Sequence, residues 1–181
     1  MLSIIIIVLA SLTILWWSRN SLLHPSSRGF PRFFAFEALL ILVVLNAPYW
    51  FIYPLDTQQI ISWLLLILSI VLVMWGVVLL RGHGGSRSTT EGSPDFEWEN
   101  TEHLVTTGIY RYIRHPMYSS LLFLAWGALL KFVSPVTLIL TVVATIALVL
   151  TVRAEEAENI ARFGEEYRNY MKKTGRFVPF F

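Results

Sequence analysis

Ile60–Leu80 reads IISWLLLILSIVLVMWGVVLL, an apolar run without a single charged residue. A helix that crosses the roughly 30 Å hydrocarbon core of a bilayer needs about 20 mostly apolar residues, and this run supplies them unaided. Four further apolar stretches lie around it. Leu2–Trp17 and Pro135–Val152 are uncharged, Phe33–Tyr53 carries Glu37 as its one acid, and Tyr118–Val133 carries Lys131 near its end. The first and the last two are short for a crossing, a mismatch that local thinning and snorkelling of flanking side chains accommodate. The last two are joined at Ser134-Pro135, a spacing that fits a helical hairpin. The pattern predicts an all-α polytopic membrane protein with five transmembrane helices.

Composition agrees. The 181 residues are 55% apolar and only 14% charged, against about 25% charged in soluble domains, and mean hydropathy is +0.61. Such a chain has too little polar surface to cover a water-soluble globule. Leu2–Trp17 has no basic n-region and no small-x-small cleavage site, and it closes on Trp16-Trp17 as an interfacial anchor would, so it reads as a retained helix. Cysteine is absent, which excludes disulfides, thiolate metal sites and cysteine nucleophiles. The histidines His24, His83, His103 and His115 lack ligand spacing, so no metal is expected. The basic residues are dispersed along the chain, which argues against a nucleic-acid partner and for the lipid bilayer.

Their positions set an orientation. With five spans the loops alternate sides, and 13 of the 14 Lys and Arg residues fall in the first loop, the third loop and the tail. The second and fourth loops hold only Lys131. By the positive-inside rule the N-terminus is outside and the C-terminus cytoplasmic, at the inner membrane if the source is bacterial. Residues 1–80 form a unit of three N-terminal helices. Residues 81–181 form a second unit, with the hairpin and the two polar segments long enough to build a site.

The first polar segment is Arg81–Met117. Its opening, Arg81-Gly82-His83-Gly84-Gly85-Ser86, is glycine-rich, but without a preceding strand or a GKS ending it reads as a flexible loop rather than a phosphate cradle. Further on, Glu102–Tyr118 packs two histidines, three tyrosines and two arginines against the start of a membrane helix. Pro116 suits the first turn of that helix, and the free N–H groups beside Arg114 and His115 favour an anion such as a carboxylate. An interfacial anchor, with arginines snorkelling to lipid phosphates, reads equally well from composition. The second segment, Ala154–Phe181, places Glu155 and Glu156 just past the last span. It then repeats Ile160, Phe163, Tyr167 and Tyr170 at helical spacing, with Glu158 and Arg162 as a surface i,i+4 pair. This predicts a C-terminal amphipathic helix lying on the membrane face. Glu37 is expected to pair with a loop arginine, and Asn46 with Pro48 to mark a kink.

The run Leu104-Val105-x-x-Gly108-x-Tyr110-x-x-x-Arg114-His115-Pro116-x-Tyr118 resembles the isoprenylcysteine carboxyl methyltransferase family of integral membrane enzymes. So do Glu155-Glu156, Phe163-Gly164-Glu165-Glu166-Tyr167-x-x-Tyr170 and the closing Gly175-Arg176-Phe177-Val178-Pro179. The resemblance covers roughly the C-terminal half. It implies a cytosolic pocket for S-adenosylmethionine, roofed by the C-terminal segment, and a lipophilic substrate entering from the membrane. Carried over, the cofactor-binding positions are Glu102, His103, Leu104, Val105, Tyr110, His115, Pro116, Met117, Tyr118 and Glu155. The Leu-Val backbone would hold the adenine, and Tyr110, His115 and Glu155 the ribose or the amino-acid end. A zwitterionic methionine moiety needs an anion site and a cation site, and the helix start at His115 and the carboxylate of Glu155 offer one each. Arg114 and Arg153 are secondary candidates for binding substrate.

The chain departs from the family at two places. Glu102 stands where the family usually has His, with His103 one residue later. Thr151 stands where it usually has the Arg that binds the substrate's carboxylate, and Arg153, about 200° further round a helix, does not replace it. The expected activity is methyl transfer from S-adenosylmethionine to a lipophilic acceptor, isoprenylcysteine carboxylate-like by resemblance. The alternatives are a membrane methyltransferase for phospholipid amines or small thiols, a sterol-reductase-like enzyme using NADPH, and a non-catalytic membrane scaffold.

Overall fold

The computed structural model describes residues 2–83 and 103–179. Six α-helices follow in order: α1 (Leu2–Leu22), α2 (Gly29–Asn46), α3 (Thr57–His83), α4 (Pro116–Leu129), α5 (Pro135–Phe163) and α6 (Glu165–Met171). Single 3₁₀ turns cover Ala47–Tyr49 and Gly108–Arg111. No strand occurs among the described residues; one isolated parallel bridge joins Ile113 to Gly175. Four helices, α1, α2 with its 3₁₀ continuation, α3 and α5, are long and apolar enough to cross a membrane. The chain is an α-helical integral membrane protein.

The packing is that of a lipid-embedded bundle. Helix α2 packs on α1 and α5, and α4 lies between α3 and α5. The α2–α4–α5 interface is built on small residues, with Ala35, Ala38, Ala125, Ala128, Ala144 and Ala147 all buried beside Leu39, Leu42, Leu148 and Val152. In lipid there is little hydrophobic drive between helices, so close backbone approach supplies the contact energy. The large apolar side chains of α1 and α3, such as Ile4, Leu12, Leu64 and Ile70, point outward.

The fourth apolar stretch differs from expectation. Helix α4 has 14 residues, about 21 Å at 1.5 Å per residue, too short to span alone. Its C-terminus is buried, and carbonyls at and just past that end accept from neighbouring helices. Asn46 Nδ2 donates to Ala128 O at 2.6 Å and Phe132 O at 3.2 Å. Gln58 and Gln59 donate to Leu130 O and Lys131 O, and Ser62 to Gly127 O. Asn46 stands where α2 gives way to its 3₁₀ continuation, and its side chain also caps another helix. Lys131 is folded inward too, its Nζ 3.5 Å from the Trp63 ring centroid and 3.2 Å from Gln59 Oε1. Glu37 also departs from its expected arginine partner: Ser11 of α1 donates to it at 2.6 Å.

These contacts sort the bundle into two ends. The α2–α3 connection and the α4–α5 turn meet at one. At the other, the α1–α2 turn, the start of α4 and the far end of α5 come together. Helix α5 has 29 residues, roughly 43 Å, so it outruns a 30 Å core by several turns. The expected separate amphipathic helix is thus in part the continuation of α5, which ends at Gly164. There φ is +59°, a conformation glycine adopts without penalty, and α6 folds away with Tyr167 and Tyr170 buried.

Candidate active site

The site begins at Gly108. Its φ is also +59°, and a Cβ there would collide with Leu79 Cδ1 of α3, so glycine lets this turn dock. The turn carries Tyr110 inward, its hydroxyl donating to Gly76 O at 3.4 Å and its carbonyl accepting from Tyr170. The chain then pairs with the tail: Gly175 N donates to Tyr112 O, Arg114 N to Gly175 O and His115 N to Arg176 O. His115 occupies the N-cap of α4 with φ −124° and ψ 61°, outside the helical region as a residue before proline prefers.

At this junction two ranks of charge meet. His115 Nδ1 lies 3.5 Å from Glu155 Oε1, and Nε2 lies 3.6 Å from Glu156 Oε1. Tyr118 donates to Glu155 Oε2 at 2.8 Å, and Arg28, from the α1–α2 turn, reaches the same oxygen at 3.3 Å. Glu156 takes Arg114 Nε at 3.0 Å and Arg176 Nη2 at 2.6 Å. Arg114 Nη1 also donates to Met171 O and to Thr174 O, closing off the C-terminal end of α6. His115 is buried, with 4% exposure. Burial disfavours its imidazolium, but the hydrogen bonding and negative charge of Glu155 and Glu156 outweigh this and hold its pKa above the usual histidine value. Its Nε2 has no hydrogen-bond partner among the described residues.

The structure brings His115, Pro116, Tyr118, Tyr110 and Glu155 to this end of the bundle, all but the partly open Glu155 buried. Leu104 and Val105 lead into the turn, half-buried and buried, while His103 is exposed. Met117 is half-buried, and its Cγ would lie 3.2 Å from a Cβ at Gly76. Glu102 and the glycines Gly84-Gly85 lie outside the described residues. Arg114 faces Glu156 and the tail, and Arg153 is exposed. Thr151 is fully buried, its hydroxyl donating to Ala147 O. Glu158 is exposed, as expected of the solvated face, and also reaches Arg28 at 3.3 Å. Sequence reasoning quoted Glu156 and Arg176 within motifs and counted Arg28 for orientation, but carried none of the three into the site. The doubled Glu155-Glu156 was the one available sign, since neighbouring helical positions point about 100° apart and here both find partners.

Beside the cluster an apolar cavity of about 390 Å³ lies between α3, α4, α5 and the tail, lined by Leu65, Leu122, Phe123, Trp126 and Phe177 among others. A second, of about 680 Å³, separates α1 from α4. Neither is lined by His115, Tyr118 or Glu155. No group of three or more His, Asp or Glu side chains suited to a metal occurs among the described residues.

A membrane-embedded helical bundle with a buried imidazole–carboxylate cluster at one end is the class these features define. Residues 57–166 match the family model described as phospholipid methyltransferase, and the chain belongs to that family. A methanethiol S-methyltransferase of Crocosphaera subtropica is 25% identical over 91% of this chain and 65% of its own length. Protein-S-isoprenylcysteine O-methyltransferases of Xenopus laevis and Schizosaccharomyces pombe are 31% and 37% identical over 71% and 44% of this chain. The matches cover 44% and 35% of those two relatives, so the chain spans less than two thirds of the curated relatives' length. The likeness read from the motifs is borne out by these relatives. No solved structure matches the chain significantly.

Proposed function

We propose that the chain is an integral membrane methyltransferase that moves a methyl group from S-adenosylmethionine to a lipophilic acceptor of the isoprenylcysteine carboxylate type. The observation that carries this reading is the 3.5 Å approach of His115 to Glu155, two residues from separate motifs. The residues fit the cofactor. A buried His115 Nε2 without a hydrogen-bond partner is a donor for the carboxylate of an amino-acid end, and Glu155 is an acceptor for its ammonium. Glu102, His103, Leu104, Val105 and Tyr110 would hold the adenosine, and Pro116, Met117 and Tyr118 the wall beside it. When bound, the cofactor supplies an electrophilic methyl on a sulfonium. Tyr110 and Tyr118 offer π faces to that charge. A carboxylate or thiolate acceptor needs no general base, so no residue is assigned one; alignment and exclusion of water do the work.

A small-thiol acceptor is the second reading. It is favoured by Thr151, which leaves no cation where the family's arginine would hold a carboxylate, and by the length of the match to the methanethiol enzyme. In either reading α4 and its turn complete a fifth crossing, and the cluster faces the cytoplasm.

The test is calorimetric titration of the detergent-purified protein with S-adenosylhomocysteine, followed by labelled methyl transfer to prenylcysteine analogues, phosphatidylethanolamine and alkyl thiols. Binding that Glu155→Ala weakens at least tenfold, and exposed Glu165→Ala leaves within twofold, supports the reading. Equal losses, or no binding to the wild-type protein, overturn it.

A further inference from the structure

The cluster draws one member from outside every motif. Arg28 lies in the short turn between α1 and α2, ahead of the residues that match the family model. Yet it is only 5% exposed. The turn is fixed locally, with His24 N donating to Ser21 O, Ser27 N to His24 O and Phe30 N to Ser27 O, and Pro25 stiffens it further. From there the guanidinium spans one turn of α5, with Nη1 3.3 Å from Glu155 Oε2 and Nε 3.3 Å from Glu158 Oε2. Residues three apart on a helix share a face, and a planar fork with several fixed N–H groups can serve both carboxylates at once.

The consequence falls on Glu155. A carboxylate on a flexible stem can present either oxygen in many directions. Here Oε2 is held by Arg28 and Tyr118, which leaves Oε1 toward His115. Glu155, Glu156 and Glu158 face Arg28, Arg114 and Arg176.

We infer that Arg28 is a positioning residue of the cofactor site, through which the α1–α2 turn fixes the Glu155 carboxylate that the cofactor's amino-acid end meets. This rests on the cofactor reading above, and it assigns a part in the site to a helical hairpin that carries none of the motif residues.

The test is a double-mutant cycle on the full chain in detergent, with the dissociation constant of S-adenosylhomocysteine as readout and thermal unfolding as the check on folding. Arg28→Gln is expected to weaken binding at least tenfold in the wild-type background. In a Glu155→Gln background the same change is expected to cost less than twofold, because the carboxylate it orients is gone. A purely architectural arginine would weaken binding in both backgrounds, and that result overturns the proposal, as does unchanged binding by a folded R28Q protein. Should R28Q fail to fold, Arg28→Lys keeps the charge and cannot span both carboxylates. A loss of threefold or more with R28K supports the role, and wild-type affinity refutes it. No binding by the wild-type protein would instead sink the cofactor reading on which the proposal stands.

Discussion

A single imidazole decides the pH behaviour expected of this site. His115 is held above its usual pKa by two carboxylates. A group whose pKa is raised by folding lends stability that is fully present below its unfolded value, about 6.5, and lost as pH rises through the folded one. Affinity for a ligand carboxylate follows the same course. The melting temperature should therefore fall as pH is raised above 6.5 and the S-adenosylhomocysteine affinity as pH passes the raised folded value, and His115→Gln should flatten both curves. Persistence of the slope in that variant would assign it to another group. Gly108 makes the second residue-scale prediction. Alanine there would adopt a left-handed conformation at a cost of roughly 1–2 kcal/mol and push on Leu79, so G108A should melt lower and bind S-adenosylhomocysteine more weakly as Tyr110 shifts. His115, Tyr118 and Glu155 were legible in the sequence because each sits in a motif. Arg28 was not, since a loop arginine beside a membrane span reads as an orientation signal and only the tertiary fold reveals its partners.

The helices themselves were legible wherever hydropathy alone sets their length, as at Ile60–Leu80. Their ends were not. Helix α5 continues from Val152 to Phe163 because Glu155 and Glu156 find buried partners there. Helix α4 stops after 14 residues where Asn46, Gln58 and Gln59 bond the carbonyls at its end and in the turn that follows. No pattern within either stretch records those partners. Two predictions belong at this scale. Asn46→Leu removes the hydrogen bonds to Ala128 O and Phe132 O, which keep Lys131 N and Thr137 Oγ1 as donors, at a cost of about 0.5–1.5 kcal/mol per bond, and should lower the melting temperature while leaving S-adenosylhomocysteine binding within twofold, since Asn46 lies at the opposite end of the bundle. Glu156→Gln should destabilise the protein by about 3–5 kcal/mol, the scale for removing one partner of a buried pair. It strips Arg114 and Arg176 of their shared carboxylate and loosens the tail that pairs with Ile113–His115. Limited proteolysis of E156Q should then cut first between Met171 and Pro179, and an unchanged cleavage pattern would deny the tail its dependence on Glu156.

For the whole molecule, the charge pattern and the packing agree on which segments share an end of the bundle. The α1–α2 turn, the segment before α4, the chain beyond Val152 and the helix ends that flank them carry all the arginines and lysines but Lys131, and Arg28, Arg114 and Arg176 among them meet in one charged cluster. The α2–α3 connection and the α4–α5 turn meet at the other end, where Lys131 is withdrawn among aromatic rings. If that division is also the division between the two faces of a membrane, the positive-inside rule puts the cluster in the cytoplasm. The chain contains no cysteine, so single cysteines report position against a silent background. Ser26→Cys, Asp56→Cys and Lys173→Cys all replace exposed residues, in the α1–α2 turn, before α3 and in the tail. With a membrane-impermeant maleimide, the cysteines at 26 and 173 should react in inside-out vesicles and that at 56 in right-side-out ones. Reaction of 56 and 173 from the same face would mean that α5 crosses while α4 and its turn do not, and the cluster could not then be assembled from both halves on one side of the bilayer.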